Sequence, residues 1–306
     1  MKLRHVTSAR QFDTKLLQSI FSLTDKIKAG KYDKKALSGK IMATLFYEPS
    51  TRTRLSFESS MLRLGGSVIA TENAAEFSSA IKGETLEDTI RIVNSYSDVI
   101  VLRHTVPGAA EIAANYSQVP IINAGDGNRE HPTQALLDLY TIFSKFKNSN
   151  LTVAMMGDLK NGRTIHSLSR LLSLYPKIKQ VFISPKALMI PKDLIGHLTR
   201  NKIKFWQVEN FNTGVKDADI IYQTRIQKER FKSQKEYKKY FGKYILNKNT
   251  IKFIRSSAKI MHPLPRVNEI TPDVDSDPRA LYFEEAQNGL YVRMALLLFL
   301  FDKVKF

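Results

Sequence analysis

Ile41-Met42-Ala43-Thr44-Leu45-Phe46-Tyr47 runs straight into Glu48-Pro49-Ser50-Thr51-Arg52-Thr53-Arg54, and then into helical spacing over residues 53–64. Seven mostly apolar residues ended by a polar turn read as a buried strand, and the amphipathic run after them as a helix. A second short strand is read at 67–71, so the unit is β, α, β. The alternation continues through a helix at 84–96, a strand at 98–102, a helix at 108–116 opened by Pro107, a strand at 119–123 and a helix at 132–146. Upstream, Phe12, Leu16, Ile20, Leu23 and Ile27 predict one amphipathic helix over 9–29, with Ser8 as its cap and Gly30 as its stop.

After the polar run Lys147-Asn148-Ser149-Asn150 the pattern begins again. Strands are expected at 151–156, 180–183, 203–207, 220–223 and 259–261, with helices at 164–174 and 191–199. A final apolar helix at 284–305 is expected to cross back to the first half. Strands alternating with helices imply parallel sheets covered on both faces. The expected fold is therefore α/β, with two domains that are each a parallel sheet flanked by helices. Residues 1–147 plus the returning helix 284–306 form the first, and 148–283 the second. A length of 306 residues, at about 150 per domain, agrees with two.

The composition, 43% hydrophobic, supplies a core for each domain and excludes a disordered chain. There is no cysteine, hence no disulfide, thiolate metal site or cysteine nucleophile, and a reducing compartment, the cytoplasm, is expected. The N-terminal residues lack the apolar stretch of a signal peptide, and the longest apolar run, 294–301, falls far short of the ~20 residues that span a bilayer. No membrane association is expected. The formal charge of +18 first suggests a polyanion partner, but it is concentrated: residues 1–40 and 225–259 together hold +17 of it. In the second stretch lysines alternate with Phe231, Tyr237, Tyr240, Phe241 and Tyr244, a pattern that could stack and attract single-stranded nucleic acid. A solvated lysine face whose aromatics pack inward is preferred, because no RNA or DNA motif accompanies it. Nucleic acid is not an expected partner.

In parallel sheets, ligand chemistry gathers at the carboxyl ends of strands. The unusual residues fall there. The 48–54 segment offers helix N–H groups, hydroxyls and guanidinium groups, which suit a phosphate. Taken alone, an ordinary Ser/Thr helix cap with surface arginines is the better reading. Arg103-His104 follows a strand, and His131-Pro132-Thr133-Gln134 opens a helix after the loop 123–129. Together these could converge on a carbonyl oxygen beside a phosphate. Ser78-Ser79-Ala80-Ile81-Lys82-Gly83-Glu84 is, by itself, a polar loop. Gly157-Asp158-Leu159-Lys160-Asn161-Gly162-Arg163 superficially suggests dinucleotide binding but fails the G-x-G-x-x-G spacing, so a nicotinamide cofactor is rejected. Arg163, with Thr224-Arg225-Ile226-Gln227 after another strand, suits carboxylates held in forked bonds. His262-Pro263-Leu264-Pro265-Arg266 makes a stiff turn whose carbonyls escape ladder bonding and can accept from an amine.

In this order, these motifs resemble the catalytic chains of the aspartate carbamoyltransferase family from end to end. The resemblance implies transfer of a carbamoyl group from carbamoyl phosphate to L-aspartate, in early pyrimidine synthesis, with no metal or organic cofactor. It implies that Ser50, Thr51, Arg52, Thr53 and Arg103 hold the phosphate, that Thr53, Arg103 and His131 polarise the carbamoyl oxygen, and that Gln134 binds the carbamoyl amine. Arg163, Arg225, Gln227 and Lys82 would take the carboxylates of aspartate, while the backbone at Pro263 and Leu264 would orient the amine, both residues also meeting carbamoyl phosphate and Leu264 aspartate. Ser78 and Lys82 would enter a neighbouring subunit's site, so a homotrimer is implied, and regulatory chains are compatible with it. Ornithine carbamoyltransferase is the nearest rival, but its Cys-Leu-Pro signature cannot occur here. A non-catalytic polyanion-binding relative is the rival from another class.

Overall fold

The computed structural model describes residues 3–74, 83–146, 150–226, 231 and 233–303. The chain divides into two compact units, Met1–Tyr140 with Gln287–Phe306, and Thr141–Ala286.

In the first unit, β1 (Ile41–Phe46), β2 (Ser67–Glu72), β3 (Val99–His104) and β4 (Ile121–Asp126) form a parallel sheet in the order β2-β1-β3-β4. Its helices are α1 (Thr14–Lys28), α2 (Thr51–Arg63), α3 (Leu86–Val93), α4 (Ala109–Tyr116) and α5 (Pro132–Lys145). Strands covered on both faces read as unbroken apolar runs. Thus Val99, Ile100, Val101 and Leu102 are at most 1% exposed, and each such burial contributes about 1.5–3 kcal/mol. The edge strand β2 has no buried residue.

The single helix expected over 9–29 is two pieces. Ser8 caps a short 3₁₀ turn, Ala9–Gln11, in a capping box with Gln11, and Asp13 then caps α1 by accepting from Leu16 N–H at 2.7 Å. Two caps within six residues break the helix, and the break lets Phe12 turn inward to 3% exposure. The stop is as read: Gly30 adopts φ +75 and donates to Ile27 C=O at 2.9 Å. Strand β3 also runs two residues further than expected, so Arg103 and His104 end the strand rather than follow it. Likewise β4 runs on through 124–126, expected as loop.

In the second unit, β5 (Thr152–Met156), β6 (Lys179–Ile183), β7 (Phe205–Val208), β8 (Ile220–Gln223) and β9 (Lys259–Met261) form a parallel sheet in the order β7-β6-β5-β8-β9. Around it run α6 (Arg163–Leu172), α7 (Lys192–Arg200), the unanticipated five-residue helices α8 (Phe211–Val215) and α9 (Gln234–Lys238), and α10 (Tyr282–Leu300). From Gln287 onward α10 belongs to the first unit, where Leu290 C=O accepts from Ser60 Oγ of α2 at 3.1 Å. The core of the second unit joins Ala154, Met156, Ile183, Ile221 and Ile260 to Leu246, Ile251 and Tyr282.

In the lysine-rich stretch, Lys235, Lys238, Lys239, Lys243, Lys248 and Lys252 are exposed as expected. Its aromatics do not all pack inward. Tyr244 lies against the core, but Phe231, Tyr237, Tyr240 and Phe241 stack on one another at 5.4–5.9 Å, and Phe241 stays 50% exposed. Among the described residues no helix is long and apolar enough to cross a membrane.

Candidate active site

Each sheet reverses its strand order once, between β1 and β3 in the first and between β5 and β8 in the second. At such a switch the loops leave in opposite directions and open a crevice at the carboxyl edge. The candidate residues sit at these two places.

At the first switch, Tyr47 N–H donates to Arg103 C=O at 2.8 Å, which ties the loop after β1 to the end of β3. Arg103 is 8% exposed; its Nη1 donates to Ala124 C=O at 3.0 Å and its Nη2 to Glu48 Oε1 at 3.1 Å. These bonds aim the guanidinium along the strand ends. Ser50 occupies the cap position of α2, but its side chain makes no capping bond. The ordinary-cap reading of this segment therefore fails, and the first N–H groups of the helix face outward for another acceptor. Arg52 follows, exposed on the chain surface, and no carboxylate among the described residues pairs with it. Its guanidinium pKa is pushed down, first by desolvation and then by the positive charge of Arg103. An exposed guanidinium beside uncapped N–H donors is a site for a multiply charged anion. Thr53, 7% exposed, faces inward from the same turn, while Thr51 is exposed. Arg54 is used differently: Nη1 pairs with Glu72 Oε2 at 3.0 Å on the edge strand.

At the end of β4, His131 takes the cap position of α5, its C=O accepting from Gln134 and Ala135 N–H at 3.1 Å each. His131 and Gln134 are 4% and 8% exposed. His104, which the sequence grouped with them, stacks on Tyr47 at 4.6 Å, and its Nδ1 accepts from Val106 N–H at 3.0 Å.

At the second switch, Arg163 opens α6 after β5, and Arg225 follows the adjacent β8. Both are partly exposed. The strand ends approach closely, with Thr224 N–H and Oγ1 donating to Met156 C=O at 2.8 and 3.0 Å. Gly157 permits this approach: φ is +124, and a Cβ there would lie 2.3 Å from Thr224 C=O. Gly157→Ala is expected to destabilise the protein by about 2 kcal/mol or more, read as a lower melting temperature in circular dichroism. An unchanged melt would remove this account of the turn.

Next to β8, strand β9 leads into the 262–266 turn, where Leu264 has φ +51. His262 Nδ1 accepts from Leu264 N–H at 2.7 Å, so Nε2 carries the hydrogen and donates to Glu269 Oε1 at 2.8 Å. Glu269 Oε2 accepts from Val267 and Asn268 N–H at 3.2 Å, and Glu285 Oε2 accepts from His262 N–H at 2.8 Å. The turn carrying Pro263 and Leu264 is thus fixed from both ends. Burial pushes the Glu269 carboxyl up, but the hydrogen bond from His262 and the backbone donors outweigh it, so its pKa lies below the usual 4.5. A depressed carboxylate stabilises the fold fully above the unfolded value and loses that contribution as pH falls through the folded one. Melting curves of wild type and Glu269→Gln are therefore expected to differ at neutral pH and converge in acid. A gap that is constant with pH would contradict this.

Ser78, Lys82 and Gln227 lie outside the described residues. Among the described residues, no group of three His, Asp or Glu side chains could hold a metal ion. The sequence reading overlooked Asp138, one turn beyond Gln134 on α5; the four-residue spacing was the available signal.

Residues 4–144 match the sequence model of the aspartate/ornithine carbamoyltransferase carbamoyl-P binding domain, and residues 149–300 that of the Asp/Orn binding domain. A chloroplastic aspartate carbamoyltransferase of Arabidopsis thaliana is 51% identical over 301 residues, covering 97% of this chain and 77% of that protein. The catalytic subunit of M. jannaschii aspartate transcarbamoylase superposes with a TM-score of 0.89 at 47% identity, covering 98% of this chain and 99% of that one. Trypanosoma cruzi aspartate transcarbamoylase in complex with carbamoyl phosphate and aspartate superposes with a TM-score of 0.90 at 40% identity, covering 97% and 96%.

Proposed function

From the premise that the chain belongs to the aspartate/ornithine carbamoyltransferase family, we infer that it moves the carbamoyl group of carbamoyl phosphate onto the amine of L-aspartate. The products are N-carbamoyl-L-aspartate and phosphate. One observation carries this reading to the residues: Arg52 opens α2, whose Ser50 makes no capping bond, and Arg103 is tied by Glu48 and by Tyr47 N–H to the loop that leads into it. A dianion meets the exposed guanidinium and the uncapped N–H groups together.

Attack by the neutral amine on the carbamoyl carbon puts negative charge on the carbonyl oxygen and the departing phosphate. Ser50, Thr51, Arg52, Thr53 and Arg103 bind the phosphate, and Thr53, Arg103 and His131 draw charge onto the carbonyl oxygen. Gln134 accepts from the carbamoyl NH₂. The carboxylates of aspartate go to Arg163, Arg225, Gln227 and Lys82, and the carbonyls of Pro263 and Leu264 orient the attacking amine. The leaving phosphate takes the amine proton, so no side-chain base is assigned. The first unit serves carbamoyl phosphate and the second serves aspartate.

Ser78 and Lys82 are assigned to a neighbouring subunit's site, in a homotrimer. Support comes from apolar side chains left open on the first unit: Leu55 (53% exposed) and Leu62 (60%) seven residues apart on α2, and Ile69 (41%) on β2. Pyrimidine synthesis in the cytoplasm is the setting that suits this reaction and a chain without cysteine.

A two-substrate assay tests the reading. Carbamoyl phosphate with aspartate is expected to give product, and carbamoyl phosphate with ornithine none; the opposite preference would overturn it. Ornithine brings one carboxylate and a second amine to a crevice bordered by Arg163 and Arg225.

A further inference from the structure

Gln134 Nε2 donates to Asp138 Oδ1 at 2.8 Å, one turn along α5, and the two residues are 8% and 0% exposed. A primary amide has a donating end and an accepting end, and a carboxylate only accepts. The end against Asp138 must therefore be the NH₂, which leaves Oε1 as the end available to a ligand. The carbamoyl NH₂ offers donors alone. Without the carboxylate the amide could turn over and present donors to donors.

A carboxylate at 0% exposure needs a countercharge. The cation whose charge acts on it is Arg293 of α10, 4% exposed, which lies over the Phe57 ring at 5.0 Å. Burial pushes Arg293 down to about 10, and the charge of Asp138 opposes that fall. Gly289, one turn earlier, makes room for it: a Cβ there would sit 2.5 Å from Arg293 Nη1 and 3.0 Å from Leu137 Cδ2. The last helix, which carries none of the substrate motifs, thereby brings a buried cation to bear on the carboxylate that holds Gln134.

We propose that Asp138 and Arg293 are positioning residues for carbamoyl phosphate, holding the Gln134 amide with Oε1 toward the carbamoyl NH₂. This rests on the reading in which Gln134 meets that group. The test is a mutant cycle on the full-length enzyme. Asp138→Leu/Arg293→Met replaces the buried ions by apolar groups of similar volume, an exchange that folds commonly survive. It is expected to raise the KM for carbamoyl phosphate about tenfold, the worth of one charge-assisted bond. Gln134→Ala is expected to cost a similar factor in wild type but less than about threefold in the double variant, because the amide it removes is already misdirected. Asp138→Asn/Arg293→Met, isosteric at position 138, serves the same cycle if the apolar pair does not fold; an amide there accepts either orientation of Gln134, so the cost of Gln134→Ala should again shrink. If Gln134→Ala costs the same factor in every background, the pair is merely structural and the proposal fails while the reading of Gln134 stands. If Gln134→Ala leaves wild type unaffected, the reading of Gln134 fails and takes the proposal with it.

Discussion

Arg52→Ala is expected to lower kcat about a thousandfold while leaving the thermal melt where it was. The side chain is exposed, so its removal opens no cavity and orphans no carboxylate among the described residues. What it takes away is a cation at the place where charge accumulates as the carbon–oxygen bond to phosphate breaks. That charge is smaller in bound carbamoyl phosphate than in the transition state, so kcat should fall more than KM rises. The neighbouring Arg54 provides the control. Its guanidinium pairs with Glu72, so Arg54→Ala should cost some stability and far less turnover. Near-normal kcat in Arg52→Ala, or a larger loss in Arg54→Ala, would remove the phosphate site from the head of α2.

Sequence alone could not separate these two arginines. Ser50 to Arg54 is one polar string, and which guanidinium faces the crevice depends on where β2 places Glu72, a pairing set by the sheet and not by local pattern. The same limit explains the other differences. The βα alternation was legible because parallel strands are apolar along their whole length and the helices between them keep one apolar face. The break at Phe12 was not, because Ser8 and Asp13 are both good caps and helical spacing persists across the gap. Helices of five residues, 211–215 and 234–238, are too short to show a period. The carboxyl ends of the strands differ at 103–104 and 124–126 because pairing with neighbours, not composition, decides where a ladder stops. Asp138 was passed over for a related reason. A single acid on an apolar helix reads as solvated until its burial against Gln134 is seen.

The second large effect belongs to the other substrate. Arg163 and Arg225 leave the ends of β5 and β8, strands that pair directly and whose loops are drawn together where Gly157 meets Thr224. Guanidinium groups on neighbouring strand ends can take the two carboxylates of aspartate separately, and each forked, charge-assisted pair is worth about 1.5–3 kcal/mol. Arg163→Met or Arg225→Met alone should therefore raise the KM for aspartate about ten- to a hundredfold. The double variant should raise it about a hundred- to ten-thousandfold, the product of the single effects, since the two pairs bind different ends of one molecule. These bonds exist before and during the reaction, so kcat at saturating aspartate should change much less than KM, the reverse of the pattern for Arg52. Carbamoyl phosphate binding, measured by calorimetry without aspartate, should be unchanged in all three variants, because its donors sit on the first sheet. Unchanged KM for aspartate in the double variant, or an equal loss of carbamoyl phosphate affinity, would show that these arginines do not divide the substrates in this way. Both results together would leave the choice of aspartate over ornithine without a physical basis in the second sheet, since the contrast between two carboxylates and one is read there by these two side chains.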